Sequence, residues 1–201
     1  MKFREAFEED FWNISNFLSV SRVLLLPVYF WMSAEYRAHP EGIYFPLLIG
    51  LVELAVLSDY LDGFLARKLD QITMVGRYLD PICDKIVTLG ALLDCALFYG
   101  FPWAVFAFCI AREVLGVWMG SYLYFKRDIQ GRPNMWGKFG VGVVALSVLW
   151  YDLVPYFRMN EMEGLWLEPG YSTALIVFVY AGGILAYTHA YYDIILHGHK
   201  K

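Results

Sequence analysis

Long apolar runs separated by short polar breaks organise this chain, and several of the runs are long enough to cross a bilayer. A helical span needs about 20 mostly apolar residues. Hydropathy read together with Gly and Pro breakers predicts six spans, at roughly 15–34, 43–67, 78–99, 102–125, 136–155 and 171–196. His39-Pro40-Glu41-Gly42, Gly100-Phe101-Pro102 and the stretch from Pro155 to Gly170 part them on one side. The 68–77 loop and the Lys126–Pro133 loop part them on the other. No linker divides the runs, so residues 1–201 are expected to form a single membrane domain. Residues 1–13 are a separate case, because Phe3, Phe7 and Phe11 recur at helical spacing beside Trp12, with charges elsewhere. That pattern predicts an amphipathic helix lying in the membrane interface; a soluble capping helix is the alternative. The segment has no uninterrupted apolar core and does not read as a secretory signal. The expected fold is therefore an all-α integral membrane protein, with six transmembrane helices (14–201) and an N-terminal interfacial amphipathic helix.

Basic residues orient it. Of the 16 Lys and Arg, only Arg37 and Arg158 fall on the side of the 39–42 break. The positive-inside rule then places both termini and the 68–77 loop in the cytoplasm. Glu161, Glu163 and Glu168 on the outer 155–170 loop agree, although acids weigh little in that rule.

Composition narrows the class further. With 59% hydrophobic and 18% aromatic residues, disordered and collagen-like chains are excluded. A net charge of -4 gives no polyanion-binding character, so no nucleic-acid partner is expected. Cys83, Cys95 and Cys109 sit in apolar runs without metal-ligand spacing and read as small buried hydrophobes in a reducing compartment.

One stretch breaks the apolar pattern. In SDYLDGFLARKLDQITMVGRYLDPICDK, residues 58–85, Asp59, Asp62, Asp80 and Asp84 fall close together where two spans meet the cytoplasmic face. Asp59 and Asp62 are three apart and share one side of a helix, and Asp80 and Asp84, four apart, do the same. A short loop makes the two helices antiparallel neighbours, so all four carboxylates can converge. Bare carboxylates that close repel and resist ionisation. Either a proton or ion pathway or a hard divalent cation with oxygen ligands resolves the conflict. Two cations bridged by shared carboxylates suit displacement at phosphorus. The neighbours favour that chemistry, because Gly63 and Ala66 leave a shallow slot and Arg67 offers a planar fork for phosphate. Gly76 sits at the loop end.

Residues 59–84 read D-x2-D-G-x2-A-R-x8-G-x3-D-x3-D, with every fixed position filled. This resembles the signature of the CDP-alcohol phosphotransferase family, and the six spans and interfacial helix resemble it too. The resemblance implies transfer of a substituted phosphate from a CDP-linked donor, usually CDP-diacylglycerol, to an alcohol with release of CMP. It implies two divalent cations, Mg2+ or Mn2+, with Asp59, Asp62 and Asp80 on one and Asp84 helping to hold the second. Asp84 would also be the general base for the acceptor hydroxyl. Asp62, Gly63, Ala66, Arg67 and Gly76 would line the CDP site, and a homodimer is implied. An ion transporter using the same carboxylates is the competing class; it would favour paired repeats with acids at mid-bilayer, and no repeat is visible.

The acceptor is read from other segments. NISNFLSVSRVLLLPV, Asn13 to Val28, resembles the N-x-P-N-x-L-T-x-x-R-x-x-x-x-P opening of the phosphatidylglycerophosphate synthases and of the family's cardiolipin synthases, with Ser15 for the proline and Ser19 for the threonine. Serine-using members tend to have Asn at the position of Arg22. AREVLG, Ala111 to Gly116, resembles the fourth-span segment of the phosphatidylglycerophosphate synthases. Arg112 with Lys138 would then hold the phosphate of a small phosphorylated alcohol, glycerol 3-phosphate first. The alternatives are an Arg112 pair with Glu113 or Glu53, and a Lys138 that snorkels to the interface. After Gly137-Lys138 the family's glycerophosphate users continue with Lys-Thr and a Gln three residues on, whereas this chain runs Phe139-Gly140-Val141-Gly142. Phosphatidylglycerol and inositol phosphate therefore stay open as acceptors. Elsewhere, Asp94 and Asp152 lie close to outer span ends and are expected to meet water. Glu53 lies opposite Asp62 on the helix, where it would face a subunit contact, and His197, His199, Lys200 and Lys201 read as an interfacial anchor.

Overall fold

A computed structural model describes residues 14–40, 42–68, 74–127, 135–162 and 164–197. Within those stretches the side chains of 14, 15, 59–68, 74–78, 121, 123–127, 137, 138, 166, 190, 191 and 193–197 lie outside the description. The expected interfacial helix, 1–13, falls outside it as well.

Among the described residues the secondary structure is helical throughout: α1 (Ile14–Ala38), α2 (Tyr44–Lys68), α3 (Met74–Phe98), α4 (Trp103–Arg127), α5 (Met135–Met159), a 3-10 turn (Leu165–Leu167) and α6 (Gly170–His197). Each helix covers one of the apolar runs. Among the described residues, four helices contain stretches long and apolar enough to cross a membrane: Asn16–Ala38, Trp103–Gly120, Phe139–Met159 and Gly170–His189. In α2 the described apolar stretch is Tyr44–Ser58. The protein is an integral membrane protein by these helices.

Helix ends differ from expectation where prolines were read as stops. Pro155 lies inside α5, which continues to Met159. The ring withholds one bond from the Tyr151 carbonyl and the helix runs on, as membrane helices tolerate. Helix α3 starts at Met74, so Gly76 lies in its first turn and not at a loop end. It stops at Gly100, where φ is 76°, and the Phe101 N–H closes on the Cys95 carbonyl at 3.1 Å. That left-handed glycine, with the chain folding back onto a carbonyl six residues earlier, ends the helix.

The chain divides into two compact units, Met1–Asp94 and Cys95–Lys201. In the first, α1 packs along α2 through Tyr29, Tyr36 and Leu48, with Met32, Tyr44, Phe45, Leu51 and Val52 around them. The Tyr36 and Phe45 rings meet at 5.3 Å. Helix α1 reaches α3 through side chains. The Leu26 methyls lie 2.8 Å from where a Cβ on Gly90 would be, so glycine permits that approach. In the second unit α5 and α6 pair over Val144, Val148, Tyr151, Ile176, Val179 and Tyr180. Their crossing uses glycine in both directions: Tyr180 fills the space beside Gly140, and Trp136 fills that beside Gly182. Small residues at such crossings let membrane helices approach closely. The three cysteines are free and buried, as expected.

Asp94 and Asp152 overturn the expectation that water reaches them, since both are fully buried. Asp94 accepts a 2.5 Å bond from the Ser33 hydroxyl and pairs with Arg37 at 3.3 Å. Arg37, placed by sequence beyond the span, lies in the last turn of the longer α1 and turns back onto α3. Asp94→Ala removes the carboxylate to which both groups donate. It is expected to destabilise the protein by about 1–3 kcal/mol, read as a lowered melting temperature in detergent, with Asp94→Asn intermediate.

Candidate active site

Helix α3 carries Asp80 and Asp84 one turn apart, and α1 supplies their partners. The Ser19 hydroxyl donates to Asp80 Oδ1 at 2.6 Å. The Arg22 guanidinium pairs with Asp84 Oδ1 at 2.8 Å through one nitrogen and donates to Ser19 Oγ at 3.2 Å through the other. The result is a continuous chain, Asp80–Ser19–Arg22–Asp84, spanning two carboxylates on one helix from two residues on another. Ser19 and Arg22 are buried, while the Asp84 side chain is 38% exposed. The arginine pair thus leaves part of the Asp84 side chain accessible.

Local sequence explains the arrangement. Asn16, Ser19 and Arg22 recur every third residue on an otherwise apolar helix, and all three are buried. Polar side chains at that spacing share one face, and in a membrane helix that face turns inward. Phe17 and Leu24 face outward.

The remaining members of the acidic motif stand on the same two helices. Asp59, Asp62, Gly63, Ala66 and Arg67 lie in the last turns of α2, and Gly76 at the start of α3. Their side chains, and that of Lys138 near the start of α5, are outside the described residues. Of the expected site residues, the described side chains bring Asp80 and Asp84 together on the α1 face.

Arg112 belongs to the second unit. It is ion-paired to Glu113, one of the two carboxylates the sequence offered, while Glu53 is exposed on α2. Its guanidinium carbon sits 4.5 Å from the centre of the Tyr180 ring. The Tyr180 hydroxyl donates to the same Glu113 oxygen at 3.3 Å. Tyr180 and Glu113 are buried, and the Arg112 side chain keeps 19% of its surface exposed. Carboxylate on one side and ring face on the other fix the cation without fully enclosing it.

The donor set fits a hard divalent cation. Carboxylate oxygens are what Mg2+ and Mn2+ prefer, and each carboxylate offers about four lone-pair sites. A bond from Ser19 or Arg22 therefore leaves capacity for a metal. Ligating carboxylates are themselves commonly hydrogen-bonded from behind, as Asp80 and Asp84 are here.

The model of one protein family, CDP-alcohol phosphatidyltransferase, matches residues 12–187. The chain belongs to the CDP-alcohol phosphatidyltransferase family. The match takes in both the α1 polar face and the acidic stretch of α2 and α3. Relatives include a CDP-diacylglycerol–glycerol-3-phosphate 3-phosphatidyltransferase of Aquifex aeolicus, 33% identical over 155 residues, which are 75% of this chain and 82% of that protein. Proteins of the same name from Yersinia pestis (29% identical, 87% of this chain and 89% of that one) and Mycoplasma genitalium (29%, 76% and 70%) are also similar. Membership makes this a CDP-diacylglycerol-dependent phosphatidyltransferase.

Two partnerships were not read from sequence. In the sequence Ser19 and Arg22 stand out for their place in an opening motif, and their three-residue spacing on an apolar helix is the signal of an inward polar face. Tyr180 gave no signal, since a tyrosine among the 15 in this chain does not announce which cation it carries. Tyr180→Phe keeps the ring beneath Arg112 and deletes the bond to Glu113. It should cost about 1 kcal/mol, against about 3–5 kcal/mol for Tyr180→Ala, which also empties a core position; thermal melts of the two variants in detergent measure the difference.

Proposed function

We propose that the chain transfers the phosphatidyl group of CDP-diacylglycerol to glycerol 3-phosphate, releasing CMP. The observation that carries this reading is the pair Asp80 and Asp84, one turn apart on α3 and held from α1, within a completely filled family motif. The relatives named for glycerol 3-phosphate support the acceptor.

In this reading the acceptor hydroxyl oxygen forms a bond to the phosphorus that carries diacylglycerol, the diphosphate P–O bond breaks, and CMP leaves. Asp84 takes the hydroxyl proton. Its partial exposure lets an acceptor approach, and Arg22 fixes its orientation. Asp59, Asp62 and Asp80, with Asp84 for a second ion, would hold Mg2+ or Mn2+, which supply charge neutralisation for the diphosphate and the leaving phosphate. Asp62, Gly63, Ala66, Arg67 and Gly76 line the CDP moiety. Arg112 and Lys138 bind the acceptor's phosphate, and Arg112 is prepared for this by Glu113 and Tyr180. All six helices span the membrane as one domain, residues 1–13 lie in the interface, and the active site and termini face the cytoplasm, as the basic residues indicate. A homodimer is the assembly the family resemblance suggests, and the exposed carboxylate of Glu53 on an apolar helix face gives such a contact a polar group to satisfy.

CMP release by purified protein with CDP-diacylglycerol and Mg2+ tests the reaction, with glycerol 3-phosphate, phosphatidylglycerol, inositol 1-phosphate and serine supplied one at a time. Turnover is expected with glycerol 3-phosphate and is expected to vanish with EDTA. Asp84→Asn should lower kcat about 10²–10⁴-fold, the range of a lost general base. Arg112→Ala should raise KM for glycerol 3-phosphate more than KM for CDP-diacylglycerol. Turnover with another acceptor alone would replace glycerol 3-phosphate, and no CMP release with any of them would defeat the reading.

A further inference from the structure

The chain Asp80–Ser19–Arg22–Asp84 does more than neutralise buried charge. A second polar connection joins the same two helices, Ser33 and Arg37 to Asp94, and the two can be compared. Ser19 meets Asp80 and Ser33 meets Asp94, each pair 61 residues apart. An unchanging offset means that α1 and α3 run parallel in register, with the two rungs about 21 Å apart along the helices. The upper rung ends on a fully buried carboxylate and has only a structural task. The lower rung differs in two ways. Its second carboxylate is partly exposed, and the arginine fork bridges the serine and that carboxylate, so both acids are tied, one through the serine, to one rigid planar group.

We infer that Ser19 and Arg22 are positioning residues that set the spacing and orientation of the Asp80 and Asp84 carboxylates for divalent-cation binding. The inference rests on the metal-binding reading of these aspartates given above. Ser19 fixes the Asp80 carboxylate by one oxygen, Arg22 fixes that of Asp84, and the Arg22–Ser19 bond couples the two. Losing one member therefore loosens both. A lysine at position 22 keeps the charge but, as a single ammonium on a flexible stem, does not reproduce the fork.

Mn2+ binding to the purified full chain in detergent, followed by electron paramagnetic resonance without any substrate, tests the idea. Loss of a residue that orients metal ligands commonly weakens binding 10–100-fold. Ser19→Ala and Arg22→Lys are each expected to weaken Mn2+ binding about tenfold or more, and Ser19→Thr, which restores the hydroxyl, to stay within about threefold of the parent. Ser33→Ala breaks the upper rung; it should lower the melting temperature while leaving Mn2+ affinity within about twofold, because it touches neither acid. Should Ser19→Ala fail to fold, Arg22→Lys carries the comparison. Unchanged Mn2+ affinity in Ser19→Ala and Arg22→Lys would overturn the positioning role, as would equal weakening by Ser33→Ala. Asp80→Asn separates the two levels. If it leaves Mn2+ binding intact, the metal reading itself fails and the positioning role with it. If it abolishes binding that Ser19→Ala leaves untouched, only the positioning role fails.

Discussion

A carboxylate inside an apolar helix must be paired, hydrated or neutralised, because an isolated charge in a low-dielectric setting is costly. Helix α3 carries three of them, Asp80, Asp84 and Asp94, and α1 answers with Ser19, Arg22, Ser33 and Arg37. This requirement fixes more than energy. A slip of one residue between the helices would turn each partner about 100° away from its acid, so the polar contacts define the register in which the apolar surfaces must fit. Between the rungs, Gly90 admits Leu26 and gives close contact with no polar atom. The first unit is thus specified by a few directional bonds and filled in by non-directional packing.

The same logic accounts for the distribution of residue types. Phe17, Leu24, Trp31, Leu54, Val114, Trp118, Phe178 and Leu185 are exposed, while Asn16, Ser19, Arg22, Ser33, Asp94, Glu113, Asp152 and Thr173 are buried. In water this would be an inverted protein. In a bilayer it is the favourable arrangement, since lipid tails solvate the outer apolar face and internal polar groups satisfy one another. Tyr151 and Thr173, bonded at 2.9 Å in the core of the second unit, are a neutral instance of the same rule.

Positions of the helices were legible because a membrane span writes itself as one long apolar run. Their ends were less legible. Pro155 reads as a stop, but a membrane helix tolerates the one backbone bond it removes, and α5 continues to Met159. The error over Asp94 has the same root: a shorter α1 left Arg37 outside the span, so nothing remained to pair with an acid three turns from the Asp84 end of the site. The acidic motif itself could be read from spacing alone, since i,i+3 and i,i+4 neighbours on one helix share a face whatever the tertiary fold. What holds Asp80 and Asp84 could not, because a contact between residues 19 and 80 depends on how two helices separated by a third are set side by side.

The stretch after Lys138, where this chain departs from the Lys-Thr continuation of glycerophosphate-using relatives, acquires a physical explanation from the second unit. A Cβ at position 140 would lie 2.8 Å from the Tyr180 ring, so a threonine there and the ring as placed exclude one another. Glycine at 140 lets Tyr180 lie against α5, and from that position its face supports Arg112 and its hydroxyl reaches Glu113. Phe139 and Val141 on either side are exposed and make no competing demand on this core. The departure therefore need not signal a different acceptor. In this chain one small residue on α5 makes room for the aromatic on α6 that holds the arginine.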